Sequence, residues 1–328
     1  MGRFTRVRVR GFRRLYDIDL EIRPVTVMIG ANGAGKTSLL EVFSLLSASS
    51  AGKLNEKLSE LGGPVGVLTK GKSKTLELSV SMDVPHYEPL VYSLTLAASG
   101  NSYAIASETL TQQNLGPGTI PFKHIDSAYN NVRYYEITTK QLQPINWLHN
   151  YLETSLSQVP KMFQQPEILR QTLNSTTFYH ALNVEARAPI RLPQPMKPAD
   201  LPGKDGEEIA PLLYSLRETD SDRFETIEDT LRAAFPSFRQ LNFPPVAAGM
   251  IGMTWQDRNF GSFTMNQLSE GTLRFLWLAA LLLSPGLSAI TMIDEPEVSL
   301  HPELLSHLAD LFRESSRRSN IIIATHSD

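Results

Sequence analysis

The chain has 328 residues, enough for one large domain or two smaller ones with a sizeable core in either case. A formal charge of −3 and a sequence pI near 6.2 exclude a molecule that holds nucleic acid by bulk charge, so any such binding would need a local patch. The absence of cysteine excludes disulfides and thiolate metal sites and suits a reducing, cytoplasmic setting. The opening MGRFTRVRVR lacks the apolar core of a signal peptide, and Arg6 spoils the myristoylation pattern. The longest apolar run, 275–283, falls far short of the ~20 residues a membrane span needs, so no membrane partner is expected.

Residues 5–10 alternate, with Val7 and Val9 on one face of a predicted strand and Arg6, Arg8 and Arg10 on the other. A second strand near 17–22 turns its acids outward, and the arginines are expected to pair with Asp17, Asp19 and Glu21 in preference to forming a nucleic-acid patch. Between them the turn GFRRL carries Arg13 and Arg14, close enough in sequence to the next motif for one of them to lean over a ligand there.

That motif is GANGAGKTS, Gly30 to Ser38, which fits G-x-x-x-x-G-K-[ST] at every fixed position. The β-branched run 25–29 reads as a buried strand and 36–46 has helical spacing, so a strand delivers a tight loop to a helix N-terminus. Gly30, Gly33 and Gly35 let the backbone curl with its N–H groups inward around phosphate oxygens, and the helix dipole adds favourable potential. Lys36 can reach the phosphates as a point charge, and the Thr37 hydroxyl can ligate Mg²⁺. Asn32, Ala34 and Ser38 complete the loop's predicted contacts with the nucleotide.

Beyond the loop, 47–71 reads as loop with a short helix at 53–61, and segments 75–82, 89–97 and 103–110 form an antiparallel meander. Residues 114–123 are expected to be an irregular loop, with His124 a surface histidine. From 141 to 182 the pattern is helical, Trp147, Leu148, Tyr151, Leu152 and Leu156 sharing one face and Ile168, Leu169, Leu173 and Phe178 following. The proline-rich 189–202 reads as an extended connector, 209–216 and 224–235 as helices, and 241–264 as short strands. No sustained heptad appears, so no long coiled-coil arm is predicted.

The last third holds three further constellations. In LSEGT, Ser269 and the Gly271 amide sit where an apolar helix begins and can offer a hydroxyl and N–H groups to a phosphate, with Glu270 in the first turn. In AITMIDE an apolar strand ends in two acids that diverge, so that Asp294 can hold the Mg²⁺ shell and Glu295 can polarise a water toward the γ-phosphate. In NIIIATHSD a second apolar strand delivers His326 toward the same chemistry.

In this order the four motifs resemble those of an ABC-class ATPase, and RVRVRGFRRLYDIDLEIRPVTVMIGANGAGKTSLLEV with DEPEVSLHPELL resembles the SMC, RecF and OLD branch, most closely its stand-alone RecF/OLD-type bacterial ATPases. The resemblance covers about the first fifty and last sixty residues and implies an α/β P-loop NTPase head, a mixed sheet with helices, an antiparallel β portion and a helical insertion. It implies one head, with a core from 1–50 and 265–328, a meander at about 72–135 and a helical region at about 140–240. It implies ATP and Mg²⁺ held between two heads of an ATP-dependent homodimer, Ser269, Glu270 and Gly271 acting in trans, Glu295 as base, His326 as switch residue and Arg13 as a nucleotide-proximal arginine. A glutamine that helps hold Mg²⁺ is expected, with Gln141 and Gln143 candidates by position only. Residues 296–301 lack the aspartate of the transporter D-loop.

The SMC coiled coil is replaced by a globular insertion. The sequence ends at Asp328 just after the switch histidine, which leads us to expect a fragment or a bare sheet edge, with no OLD-type nuclease domain in either case. The function expected is an ATP-hydrolysing switch serving DNA transactions or an anti-phage defence complex with a nuclease or toxin effector. The alternative is a nucleotide-sensing scaffold with negligible turnover. A transporter motor subunit fits the motifs but not their wide separation.

Overall fold

Alternation builds the first layer. Strand β1 (Arg3–Phe12) buries Phe4, Val7, Val9 and Phe12 and turns Arg6, Arg8 and Arg10 to solvent. This computed structural model describes residues 2–31, 33–112 and 120–326, and the chain forms two units, Met1–Phe178 and Tyr179–Asp328.

In the first unit, β2 (Leu15–Glu21) pairs antiparallel with β1, setting Arg8 opposite Asp19 and Arg10 opposite Asp17. Strand β3 (Val25–Ile29), helix α1 (Lys36–Ser50), helix α2 (Leu54–Glu60) and the single turn α3 (Gly63–Gly66) follow. The meander is longer than its sequence pattern indicates: β4 (Thr75–Val84), β5 (Tyr87–Ser99), β6 (Ser102–Gln112), β7 (Phe122–Ala128), β8 (Asn131–Glu136) and β9 (Gln141–Pro144). With the hairpin they make one eight-stranded antiparallel sheet of order β2-β1-β4-β5-β6-β7-β8-β9. Its apolar face carries Leu76, Leu78, Val80, Leu90, Tyr92 and Leu94, all buried. Helix α1, which buries Leu39, Leu40, Val42, Phe43, Leu45 and Leu46, packs on β1, α2 and two helices further along, α4 (Ser155–Gln158) and α5 (Gln164–Asn174). Strand β10 (Thr176–Tyr179) lies at the boundary between the units.

Three expectations change here. Strand β3 is half-buried with period two, Val27 and Ile29 standing 51% and 57% exposed, where a buried strand was expected. The helical reading of 141–182 holds only for α4 and α5: Gln141 and Gln143 lie on β9, and Leu148 is 99% exposed instead of joining an apolar stripe. His124 sits on β7 with its ring against Phe122, half-buried instead of on a surface loop; the rest of that predicted loop lies mostly outside the described residues.

The second unit does not begin with an extended connector. Residues 189–202 contain a 3₁₀ turn (Pro189–Arg191) and β11 (Gln194–Pro195), because the buried Gln194 amide bonds the Pro189 and Gly206 carbonyls and the Ala210 N–H. Helices α6 (Ile209–Thr219) and α7 (Ser221–Ala234) follow, then β12 (Phe238–Asn242), β13 (Pro245–Val246), β14 (Met250–Ile251), β15 (Thr254–Asp257) and β16 (Gly261–Thr264) in two small antiparallel sheets, β11-β14-β13 and β12-β15-β16. Helix α8 (Glu270–Leu283) is apolar nearly all round and is accordingly buried, against α6, α7 and α9 (Pro302–Ser315). Strands β17 (Ile290–Asp294) and β18 (Asn320–Thr325) pair in parallel through the α9 crossover, placing Asp294 beside Ala324.

Candidate functional site

The phosphate loop leaves β3 at Gly30 and enters α1 through Gly35. Gly33 (φ 79°) and Gly35 (φ 106°) hold left-handed conformations that L side chains rarely adopt. Gly35 is the N-cap of α1 and, having no side chain, makes no cap bond; no acid lies in the first turn to compete with an anion there. The N-terminus of a 15-residue helix entered through glycine, with a lysine beside it, fits the phosphates of a nucleotide. Lys36 Nζ folds back to donate to the Gly30 carbonyl and, at 3.4 Å, to that of Ala31. Ala34 donates its N–H to Ala31 at 3.1 Å, which tightens the loop. Ala34 and Thr37 are exposed and Ser38 is buried, while Asn32 lies outside the described residues.

The arginines of the GFRRL turn part ways. Arg13 (φ 46°) pairs with Glu41 on α1 and donates to the Leu61 carbonyl at 3.2 Å. Arg14 instead donates to the Gly33 carbonyl, and a Cβ at position 33 would stand 2.8 Å from its Nη1. Glycine at 33 is therefore what lets a guanidinium lie against the loop; of the two arginines it is Arg14 that makes this contact, whereas the resemblance pointed to Arg13 as the nucleotide-proximal one. Neighbouring residues of a tight turn diverge, which gives the sequence no means of choosing between them.

In the second unit, Ser269 caps α8: its Oγ accepts from the Thr272 N–H at 3.1 Å and lies 2.8 Å from the Thr272 hydroxyl. Arg191 donates to the Met265 and Leu268 carbonyls at 3.0 and 3.2 Å, bracing the entry to this cap from the proline-rich segment. Glu270 accepts from the Ser299 hydroxyl at 3.4 Å, and a Cβ on Gly271 would meet the Ser299 carbonyl at 2.6 Å. Gly271 thus has a packing requirement of its own.

Asp294 ends β17, half-buried. Glu295 turns into left-handed backbone (φ 51°) while its N–H donates to the Ala324 carbonyl at 2.8 Å, which extends the parallel pairing by one residue. Its Oε1 lies 2.8 Å from His326 Nε2, a charged pair when the imidazole is protonated and a hydrogen bond otherwise. Glu297, unremarked as a site residue in the sequence, accepts from the Thr325 hydroxyl and, at 3.3 Å, from the His326 N–H. Its one sequence signal is its place in DEPE, where Pro296 separates the two glutamates and fixes the turn between them. Gln141 and Gln143 lie in the meander, and the Gln143 amide donates to Thr139 at 3.4 Å.

The glycine-rich loop before α1 and the βαβ unit that ends in acids and a histidine define an α/β P-loop NTPase of the ABC-ATPase head type. Residues 25–328 match the family described as "AAA domain, putative AbiEii toxin, Type IV TA system", and the chain belongs to that family, among the nucleotide-binding ATPases. An OLD nuclease of Thermus scotoductus is 33% identical over 81 residues, which is 25% of this chain and 15% of that relative's length. Among solved structures, an SMC head bound to the C-winged helix domain of ScpA superposes with a TM-score of 0.61 at 12% identity, over 99% of this chain and 90% of that one. An Smc head with an extended coiled coil, bound to the C-terminal domain of ScpA derived from Pyrococcus furiosus, gives 0.55 at 11% identity, over 100% and 90%. At such identities these likenesses establish the fold alone, which is that of an SMC head. No helix among the described residues is long and apolar enough to cross a membrane.

Proposed function

We propose that the chain is an ATP-driven switch that binds Mg-ATP, closes into a homodimer and reopens after slow hydrolysis. The observation that carries hydrolysis is the Glu295–His326 pair at the exit of β17 and β18, a carboxylate with a histidine within proton-transfer reach. In this reading the loop from Gly30 to Ser38, with Lys36, binds the β- and γ-phosphates. Glu295 takes the proton of the attacking water, and His326 orients the carboxylate and the water. Thr37 and Asp294 are hard oxygen donors suited to Mg²⁺, which when bound neutralises charge on the transferring phosphoryl group. Ser269 and the first N–H groups of α8 are proposed to meet the nucleotide of a second copy. The nucleotide-proximal arginine is Arg14, on its contact with Gly33, in place of Arg13.

The work coupled to this cycle is proposed to be a DNA transaction or a defence complex in which the ATPase restrains a nuclease or toxin. The family description and the OLD nuclease relative support that class of partner. A second reading is a nucleotide-sensing scaffold with negligible turnover, in which Glu295 and His326 stay paired with each other and no water is brought to them. Light scattering of Glu295→Gln with and without Mg-ATP, beside phosphate release by the parent, decides between them. The switch predicts a dimer only with Mg-ATP and a loss of roughly 100-fold or more in turnover, since a general base contributes about 10²–10⁴. Parental turnover in Glu295→Gln would overturn the role of Glu295. A fixed oligomer with no turnover in the parent would establish the scaffold.

A further inference from the structure

Residues 295–299 form a short bridge with strained ends. Glu295 (φ 51°) and Ser299 (φ 62°) both hold left-handed backbone without being glycine. Two turns join them, Val298 N–H to the Glu295 carbonyl at 3.3 Å and Leu300 N–H to the Glu297 carbonyl at 3.0 Å. At one end the Ser299 carbonyl sits where a Cβ of Gly271 would be, at 2.6 Å, so the bridge is pressed against the start of α8. In the middle, Glu297 Oε1 accepts both the Thr325 hydroxyl and the His326 N–H. His326 follows the end of β18, whose parallel register with β17 runs to Asp294 beside Ala324. Glu297 Oε2 is buried and has no hydrogen-bond partner.

From this we infer that Glu297 is a positioning residue: by holding Thr325 and His326 it keeps the imidazole against Glu295, and it ties the switch histidine through the strained bridge to Gly271. The inference deepens the ATPase reading and rests on it for its kinetic consequence, though the latch itself is a property of the nucleotide-free chain. What matters is one accepting oxygen, since Oε1 does the holding and Oε2 is unengaged. Glutamine retains that acceptor and loses only the charge; alanine loses both.

The test compares the parent with Glu297→Ala, Glu297→Gln and Thr325→Val, first confirming by thermal melting that each is folded. In nucleotide-free protein, amide deuterium exchange across residues 320–326 is expected to quicken in Glu297→Ala and to stay near parental in Glu297→Gln. With Mg-ATP, Glu297→Ala is expected to bind nucleotide within about twofold of the parent and to lose about tenfold or more in kcat, equivalent to about 1.4 kcal/mol of transition-state stabilisation. Glu297→Gln is expected to recover most of that loss, with Thr325→Val between the two. Equal exchange in Glu297→Ala and the parent overturns the inference, as does a Glu297→Gln protein as impaired as Glu297→Ala. A parent that binds ATP without turning it over refutes the ATPase reading instead, and the exchange comparison then decides the latch alone.

Discussion

At His124 a single ring reports its surroundings. Its Nε2 lies 3.1 Å from the Gln112 side-chain oxygen, and the Gln112 amide in turn donates to the Glu88 carbonyl at 3.0 Å. The oxygen of Gln112 is then the acceptor, and the ring is neutral with its proton on Nε2. Burial pushes the imidazole down to about 4. In the unfolded chain the same ring titrates near 6.5, so between about 6.5 and 4 the unfolded state binds a proton that the native state refuses. The contribution to stability is therefore complete above about pH 6.5 and is lost as pH falls toward 4, by on the order of 2 to 3 kcal/mol. Melting of the parent and of His124→Gln between pH 7 and 4.5 checks this, the parent being expected to lose more stability on acidification. Parallel curves for the two would show that the ring takes its proton in the native state as readily as in the unfolded one.

Among the elements, α4 shows how a helix too short to stand alone is made. Four residues cannot nucleate themselves, and α4 borrows its acceptors: the buried Glu108 carboxylate on β6 receives the N–H groups of Ser155 and Leu156 at 2.6 and 2.8 Å, and Thr154 caps Ser157. Tyr92 adds its hydroxyl to Glu108 at 2.9 Å. Burial pushes the Glu108 carboxyl up while the bonds from Leu156 and Ser155 pull it down. Glu108→Ala leaves three buried donors unpaired and is expected to cost about 3 kcal/mol or more in denaturant unfolding, with Glu108→Gln milder because one acceptor survives. A cost below about 1 kcal/mol would mean that water or a neighbour replaces the carboxylate. The same dependence on distant partners explains which elements were legible in the sequence. Strand β1, helix α8 and strands β17 and β18 carry their periodicity or apolar run within themselves, and the phosphate loop carries its chemistry in consecutive residues. The segment 141–182 did not read correctly because carboxylates remote in the sequence decide its course: Glu108 fixes α4, and Glu153 returns to cap Leu54 and Asn55 at 2.8 and 3.2 Å. Glu297 escaped notice for the same reason, since its partners Thr325 and His326 come near only once β17 and β18 pair in register.

On the scale of the whole molecule the open question is where a partner polyanion could be met. With a net charge of −3, duplex DNA would have to find a local surplus of cations, and the densest row of them is Arg6, Arg8 and Arg10 on β1. That row is already answered within the sheet: Arg6 and Arg8 reach Asp19 at 2.5 and 2.9 Å, and Arg10 reaches Asp17 at 2.9 Å. Glu21, expected to join them, pairs instead with Arg23 at 3.4 Å, and Glu77 and Asp83 line the same face. These pairs are exposed and individually weak, yet their acids remain beside any phosphate that approaches, so few counterions would be released on binding. We therefore expect Arg6→Gln/Arg8→Gln/Arg10→Gln to titrate with duplex DNA as the parent does, with the same binding or lack of it and the same salt dependence, in a fluorescence titration across salt concentrations. Were the row a phosphate contact surface, removing three cations would weaken binding at low salt and flatten the slope of log K against log salt by about 3. Such a flattening would assign the row to DNA; an unchanged slope would leave it the self-neutralised outer face of the antiparallel sheet, and would direct the search for DNA contacts to cations that lack a carboxylate across the strand.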